Sequence, residues 1–304
     1  MQQIIKTYVA AVSQWFEATF FAPMGTNGLR LFRGAVGLAT LLTALSWLGS
    51  FKWFFGPEGY VPLSAVGTLG KFSASWMHIF SYSSLTSLPV VTAAYILLMV
   101  AAICLILGKY VKVAAPVAFV LLLSFLGRNA AMSYGGTDVL QLLLLAVVLL
   151  SLPGRRAPER WPVFLMQFQF ALIYFVAGVS KLQTPAWVQG TKMFSTLSDP
   201  TFSYINPGLL LAIPVAITAI TWFGFMSELA FSFLIWSKAT RRVALVLAVM
   251  LHVGVIFTMN VHLFSEIMLL GLTIFLTEPE AKWVLERLHT AKSRVVSAVR
   301  GSKR

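Results

Sequence analysis

The chain has 304 residues, 58% of them hydrophobic and only 11% charged, with a mean hydropathy of +0.82 and a net charge of +13. A soluble domain carries roughly 25% charged residues, so this sequence has too little polar surface for water, and lipid is its expected solvent. The basic residues cluster at the ends of apolar runs, a membrane-orientation pattern that speaks against a nucleic-acid partner.

Residues 1–26 interrupt their apolar positions with Gln14 and Glu17, which argues against a cleavable signal peptide. Ile5, Val9, Val12, Phe16 and Phe20 fall on one helical face, predicting an N-terminal helix lying in the membrane interface. Residues 27–278 then hold eight apolar segments of the kind that cross a bilayer, for which about 20 residues suffice. They are Leu31 to Gly49, Leu88 to Leu107, Val113 to Leu126, Val139 to Leu152, Trp161 to Val179, Ile213 to Trp236, Val243 to Met259 and Leu263 to Leu276. With a cytoplasmic N-terminus, 18 of the 23 Lys and Arg residues fall on the cytoplasmic side, including Arg155 and Arg156. Lys52, Lys71, Arg128, Lys181 and Lys192 remain on the other. The expected fold is therefore an all-α integral membrane protein of about eight transmembrane helices with both termini cytoplasmic. Residues 279–304 read as a basic amphipathic tail held beside the inner leaflet by anionic headgroups.

Two outer loops are long. Ser50 to Ser87 is aromatic-rich, and Leu182 to Ile213 leads to a short apolar stretch bracketed by Pro207 and Pro214. No internal repeat supports an inverted-repeat transporter.

Ionisable groups at membrane depth cost several kcal/mol, so each invites a functional reading. Gln167, Tyr174 and Lys181 are spaced by seven and share one face of the fifth span, with Gly178 beside them allowing a close approach. Arg128 and Asn129 end the third span, Asp138 begins the fourth, and Asn260, His262 and Glu266 stand between the seventh and eighth. This topology places them all near the outer face as one polar cluster. Trp187 would border Lys181. Deeper, Glu228 and His252 are expected to form a structural pair. The bland alternatives are that Arg128 and Lys181 snorkel to headgroups and that Asp138 simply begins a helix in water. Cys104 is the single cysteine and the four histidines lack ligand spacing, so no metal site is expected. The phosphate-binding, nucleophile-elbow and zinc-hydrolase motifs are absent.

The string YFVAGVSKLQTPAWVQGTKM, Tyr174 to Met193, resembles the motif of the HTTM (horizontally transferred transmembrane) superfamily, which includes the membrane portion of vitamin K-dependent gamma-carboxylase. The resemblance matches Lys181 to the lysine proposed there to deprotonate the hydroquinone, with Ser180 in place of its first lysine. MNVHLFSEIM, Met259 to Met268, also resembles the carboxylase. Ala130 stands where the carboxylase has a histidine, and its large C-terminal lumenal domain has no counterpart.

A closer likeness is to the sporulation-delaying-protein B branch of the superfamily. NGLRLFRGAVGLATLLTAL, GGTD at Gly135 to Asp138, WVQGT at Trp187 to Thr191 and DPTF at Asp199 to Phe202 carry it. It implies a multi-pass protein of the bacterial inner membrane, working with a small partner protein to mature a secreted antimicrobial-type peptide precursor. The alternatives are a quinone-dependent carboxylase or epoxidase with Lys181 as base, and a non-catalytic binder or transporter. A cofactor is implied only on the carboxylase side, where it would be a quinone. Burial of Lys181 would favour a free amine, while pairing with Asp138 or Glu266 would hold it charged.

Overall fold

A computed structural model describes residues 2–21, 25–62, 64, 85–152 and 160–301, and these are helical with no strands. In chain order the helices are α1 (Gln2–Phe20), α2 (Thr26–Trp47), α3 (Phe51–Phe55), α4 (Leu88–Leu107), α5 (Val111–Arg128) and α6 (Gly135–Ser151). Then come α7 (Trp161–Leu182), α8 (Pro185–Val188), α9 (Lys192–Ser198), α10 (Pro207–Ala212) and α11 (Pro214–Leu234). The last three are α12 (Arg241–Thr258), α13 (Phe264–Gly271) and α14 (Glu278–Gly301).

Among the described residues, six stretches are long and apolar enough to cross a membrane: Thr26–Phe55, α4, α5, α7, α11 and α12. The other two expected spans are helical but shorter. Helix α6 has 17 residues, about 26 Å at 1.5 Å per residue, against a hydrocarbon core of about 30 Å. Helix α13 has eight and continues into a four-residue 3-10 turn, Leu272–Phe275. The chain is a multi-pass helical membrane protein. Lys71, Arg155 and Arg156, and most of the long loop after Pro62, lie outside the described residues.

The chain divides into two compact units. Unit 1 comprises residues 1–132, 141–164 and 270–304. Its centre is the contact of α2 with α4. A Cβ on Gly37 would lie 2.8 Å from the Ile106 nitrogen and 2.9 Å from the Ala102 oxygen, so glycine sets the approach. Helix α4 ends in a Schellman turn: Gly108 has φ +71, its N–H reaches Leu105 O, and the Lys109 N–H reaches Cys104 O. Arg33 Nε donates to the same Leu105 carbonyl at 3.0 Å, adding a cation at a helix C-terminus. An aromatic nest of Trp47, Phe51, Phe55, Tyr95 and Phe125 joins α2, α3, α4 and α5, with centroids 4.4 to 6.2 Å apart.

The start of α2 is capped from far along the chain. Gly25 offers no side chain, and the Glu278 carboxylate instead accepts the N–H groups of Asn27 (2.9 Å) and Gly28 (3.0 Å) and the Asn27 amide (2.8 Å). Those N–H groups hold the Glu278 carboxyl below the usual carboxylate range. Two residues on, Glu280 accepts from the Thr277 N–H and hydroxyl, a capping box for α14. At the other end of the chain, α1 sets Phe20 against Phe164, the rings 4.9 Å apart and edge to face.

Unit 2 comprises residues 133–140 and 165–269. Its long helices are α7, α11 and α12, with the short helices α8 to α10 threaded between α7 and α11 in sequence. As expected, Pro207 and Pro214 bracket a short helix, α10.

Candidate functional site

The fifth-span face carries the most polar part of unit 2. Helices α7 and α11 approach closely at Gly178, where a Cβ would fall 2.6 Å from Leu229 Cγ and 3.2 Å from the Leu229 nitrogen. One turn away, that proximity brings Lys181 Nζ to 2.5 Å from Glu228 Oε2. The lysine side chain is 22% exposed and the glutamate 15%. Trp187, on α8, sets its ring 5.2 Å from the same ammonium, so Lys181 lies between a carboxylate and an indole.

The two candidates to counter Lys181, Asp138 and Glu266, do not do so. Glu228 does, because the crossing at Gly178 delivers it there first. Asp138 instead accepts from the Ser133 hydroxyl at 3.0 Å. The expected Glu228–His252 pair is likewise replaced. His252 Nε2 meets the Tyr174 hydroxyl at 2.7 Å, and His252 Nδ1 meets Ser265 Oγ at 3.2 Å. Tyr174 stacks on Phe231 at 4.2 Å and His252 lies edge to face with Phe264 at 5.8 Å. Tyr174, His252 and Ser265 are all buried, forming a hydroxyl–imidazole–hydroxyl line that ties α7, α12 and α13. Each ring nitrogen has a partner, so the line satisfies itself without a charge. Gln167 is half-buried and has a partner of its own.

The loop after α7 is fastened to α11 residue by residue. Trp222 Nε1 donates to Val188 O at 3.0 Å, and the Met193 N–H donates to Thr221 Oγ1 at 3.2 Å. Gly190 has φ +76, and a Cβ there would meet Thr218 Cγ2 at 2.5 Å. These contacts fix WVQGT over the N-terminal half of α11, with Trp187 facing Lys181. The DPTF segment turns on Asp199, whose Oδ1 accepts the Thr201 N–H at 2.8 Å. It then pairs with the end of α12: Asn260 N–H to Phe202 O (2.9 Å), Tyr204 N–H to Thr258 O (3.1 Å), and Tyr204 hydroxyl to Asn260 Oδ1 (2.9 Å). Leu197 and Ile217 form a small core beneath, with Met193, Ile205 and Met259 around them.

Arg128 and Asn129 take a different role within unit 1. Arg128 is fully buried, and its guanidinium donates to the carbonyls of Val61 (2.8 Å) and Gly56 (2.6 Å). Asn129 Nδ2 donates to Phe54 O at 3.1 Å. Both residues therefore hold the aromatic turn at the end of α3, and the snorkelling alternative for Arg128 fails because its buried Nη groups find these carbonyls, although Nε is left without a partner.

Sequence reasoning passed over Tyr134 and Ser265. Tyr134 precedes the GGTD string, caps it through Thr137 Oγ1 (N–H donor, 2.9 Å), and sets its ring edge to face with His262 at 6.0 Å. Burial, and then the charge of Glu266, push its phenol up to about 12. Among the described residues no group of three or more His, Cys, Asp and Glu side chains suits a metal ion.

Residues 42–283 match the HTTM domain family. The chain is also similar to the sporulation-delaying protein SdpB of Bacillus subtilis (strain 168), 32% identical over 117 residues, which cover 37% of this chain and 36% of that protein. It thus spans about a third of the length of the curated relative it matches. No solved structure matches it. With the family match running from the last turns of α2 into α14, this chain belongs to the HTTM domain family.

Proposed function

We propose that this HTTM protein acts at the outer face of a bacterial plasma membrane in maturing a secreted, antimicrobial-type peptide, with Lys181 at the centre of its site. In this reading α6 and α13 also cross the bilayer, giving eight spans with both termini in the cytoplasm, and a small partner protein assists. The supporting observation is the fastening of WVQGT over α11, which sets Trp187 on the Lys181–Glu228 pair. Those strings also carry the likeness to the sporulation-delaying branch. Tyr174, Gln167, Asp138, Asn260, His262 and Glu266 are the further substrate-contact candidates of unit 2.

The pair bears on how Lys181 works. An ammonium held by a carboxylate is suited to anchoring a carbonyl or carboxylate of an apolar peptide beside Trp187. It is poorly placed to act as a free-amine base. The quinone-dependent alternative needs that free amine, so Glu228 favours the binding role.

Co-expression with a small secreted precursor encoded beside the gene tests the reading, with mature peptide counted by mass spectrometry. Lys181→Ala should abolish maturation and Lys181→Arg should retain much of it, since Arg keeps the charge. Maturation that persists undiminished in Lys181→Ala rejects the proposal. Loss in both variants, together with oxidation of a reduced quinone by the purified protein, would move the assignment to the base mechanism.

A further inference from the structure

Among the described residues of unit 2, two oxygens are buried without a hydrogen-bond partner, Tyr134 Oη and Glu266 Oε2, beside one nitrogen elsewhere in the unit, Arg241 Nε. A stranded buried donor or acceptor costs about 1–3 kcal/mol, and a charged one more. Glu266 makes no ion pair among the described residues, although the chain has 23 Lys and Arg for its ten carboxylates. Other carboxylates without a cation, such as Asp138, Asp199 and Glu278, have hydroxyl or N–H donors instead, whereas Glu266 Oε2 has neither.

The backbone around the two atoms is tightly constrained. Leu263, between His262 and α13, has φ 45, a left-handed conformation that is uncommon for a leucine. A Cβ on Gly136 would fall 3.2 Å from the Phe264 Cα and 2.5 Å from the Tyr134 ring, so Gly136 lets the Tyr134 turn close onto the start of α13. His262 is exposed, and Tyr134 and Glu266 are half-buried, so the cluster opens on the His262 side.

We propose that Tyr134, Glu266 and His262 form a binding site for a primary ammonium group. A carboxylate only accepts hydrogen bonds, and a phenol oxygen can accept as well as donate. An ammonium brings three donors and a positive charge, the complement of a phenol oxygen and a carboxylate oxygen that both lack partners. A water molecule supplies the donors without the charge. A calcium ion requires six to eight oxygen ligands, far more than two side chains offer. The site shares Glu266 and His262 with the substrate-contact candidates above but needs neither a reaction at Lys181 nor a peptide substrate, so its failure and the failure of that reading are distinguishable. Two sources present this chemistry: the amino group of a soluble peptide and the headgroup of an aminophospholipid.

The test uses the full chain labelled with 3-fluorotyrosine in phosphatidylcholine nanodiscs, the Tyr134 fluorine signal being assigned by its loss in Tyr134→Phe. n-Butylammonium should shift that signal saturably, and tetramethylammonium at equal ionic strength should not, because it has no N–H. Glu266→Gln should weaken the response at least tenfold. A shift on replacing half the lipid with phosphatidylethanolamine assigns the site to the headgroup. A shift with a lysine-free peptide bearing a free amino terminus, absent with its acetylated form, assigns it to a soluble ligand. Equal responses to the two cations, no response to butylammonium, or an unchanged response in Glu266→Gln would each overturn the proposal. The comparison of the two cations on the unsubstituted protein decides the matter even if Glu266→Gln fails to fold.

Discussion

In unit 1 the buried or half-buried polar side chains address the backbone. Arg128 holds the carbonyls of Gly56 and Val61, Asn129 that of Phe54, Arg33 that of Leu105, Tyr95 that of Ala44, and Glu278 the N–H groups of Asn27 and Gly28. In unit 2 threonines such as Thr137 and Thr221 also address the backbone, but the ionisable and ring side chains of the site address other side chains: Lys181 with Glu228, Tyr174 with His252, His252 with Ser265. A side chain bonded to backbone is tied to the fold, because the partner moves only if the chain does. A side chain bonded to another side chain can release it by changing rotamer, while both helices stay in place. Unit 1 therefore behaves as scaffold, and unit 2 carries the groups that can exchange partners with a ligand.

If that contrast is right, the most damaging single change lies far from Lys181. Arg128→Met leaves two carbonyls buried without donors and should cost about 2–4 kcal/mol, read as thermal unfolding in detergent. Lys181→Met should cost clearly less, and equal losses would erase the distinction. Next in size is Gly178→Leu, which forces α7 and α11 apart and should cost about 1–3 kcal/mol. Gly254→Ala is its control, because a Cβ there meets nothing within 4 Å and the helix gains propensity. The Tyr174–His252 bond should show a coupling of about 1 kcal/mol in a cycle of Tyr174→Phe and His252→Phe. A coupling near zero would mean that the line contributes nothing as a unit.

The smallest effect is one of pH. Because the folded Glu278 carboxyl is held below its ordinary 4.5, its contribution is present above that value and fades as pH falls through the depressed one. Glu278→Gln should flatten this acid limb of the unfolding curve and leave the neutral range nearly parallel. An unchanged acid limb would mean that the cap at α2 contributes nothing.

Helix positions were readable from the sequence because apolar runs and basic flanks are local properties. Every expected span emerged as a helix, and Gly178 was placed correctly as a point of close approach. Partner choice was not readable. Lys181 and Glu228 lie 47 residues apart, and nothing local distinguishes Glu228 from Glu266 as the partner. Arg128 looked like a site residue because its actual partners are carbonyls, which every residue possesses and no sequence pattern marks. Tyr134 escaped notice for a related reason: a tyrosine before two glycines reads as a turn, and its orphan hydroxyl exists only once α13 is set against it.

The corner at Thr277 to Glu280 bears on how the protein is handled. Shortening the gene to the last apolar residue, Leu276, would leave Asn27 and Gly28 with two uncapped N–H groups at the entrance to α2. A truncation that ends beyond Glu280, or a fusion carried on the far end of α14, leaves that join intact. The first turns of the basic helix thus belong to the bundle's architecture, and the exposed turns after Leu285 are the ones an engineer is free to exchange.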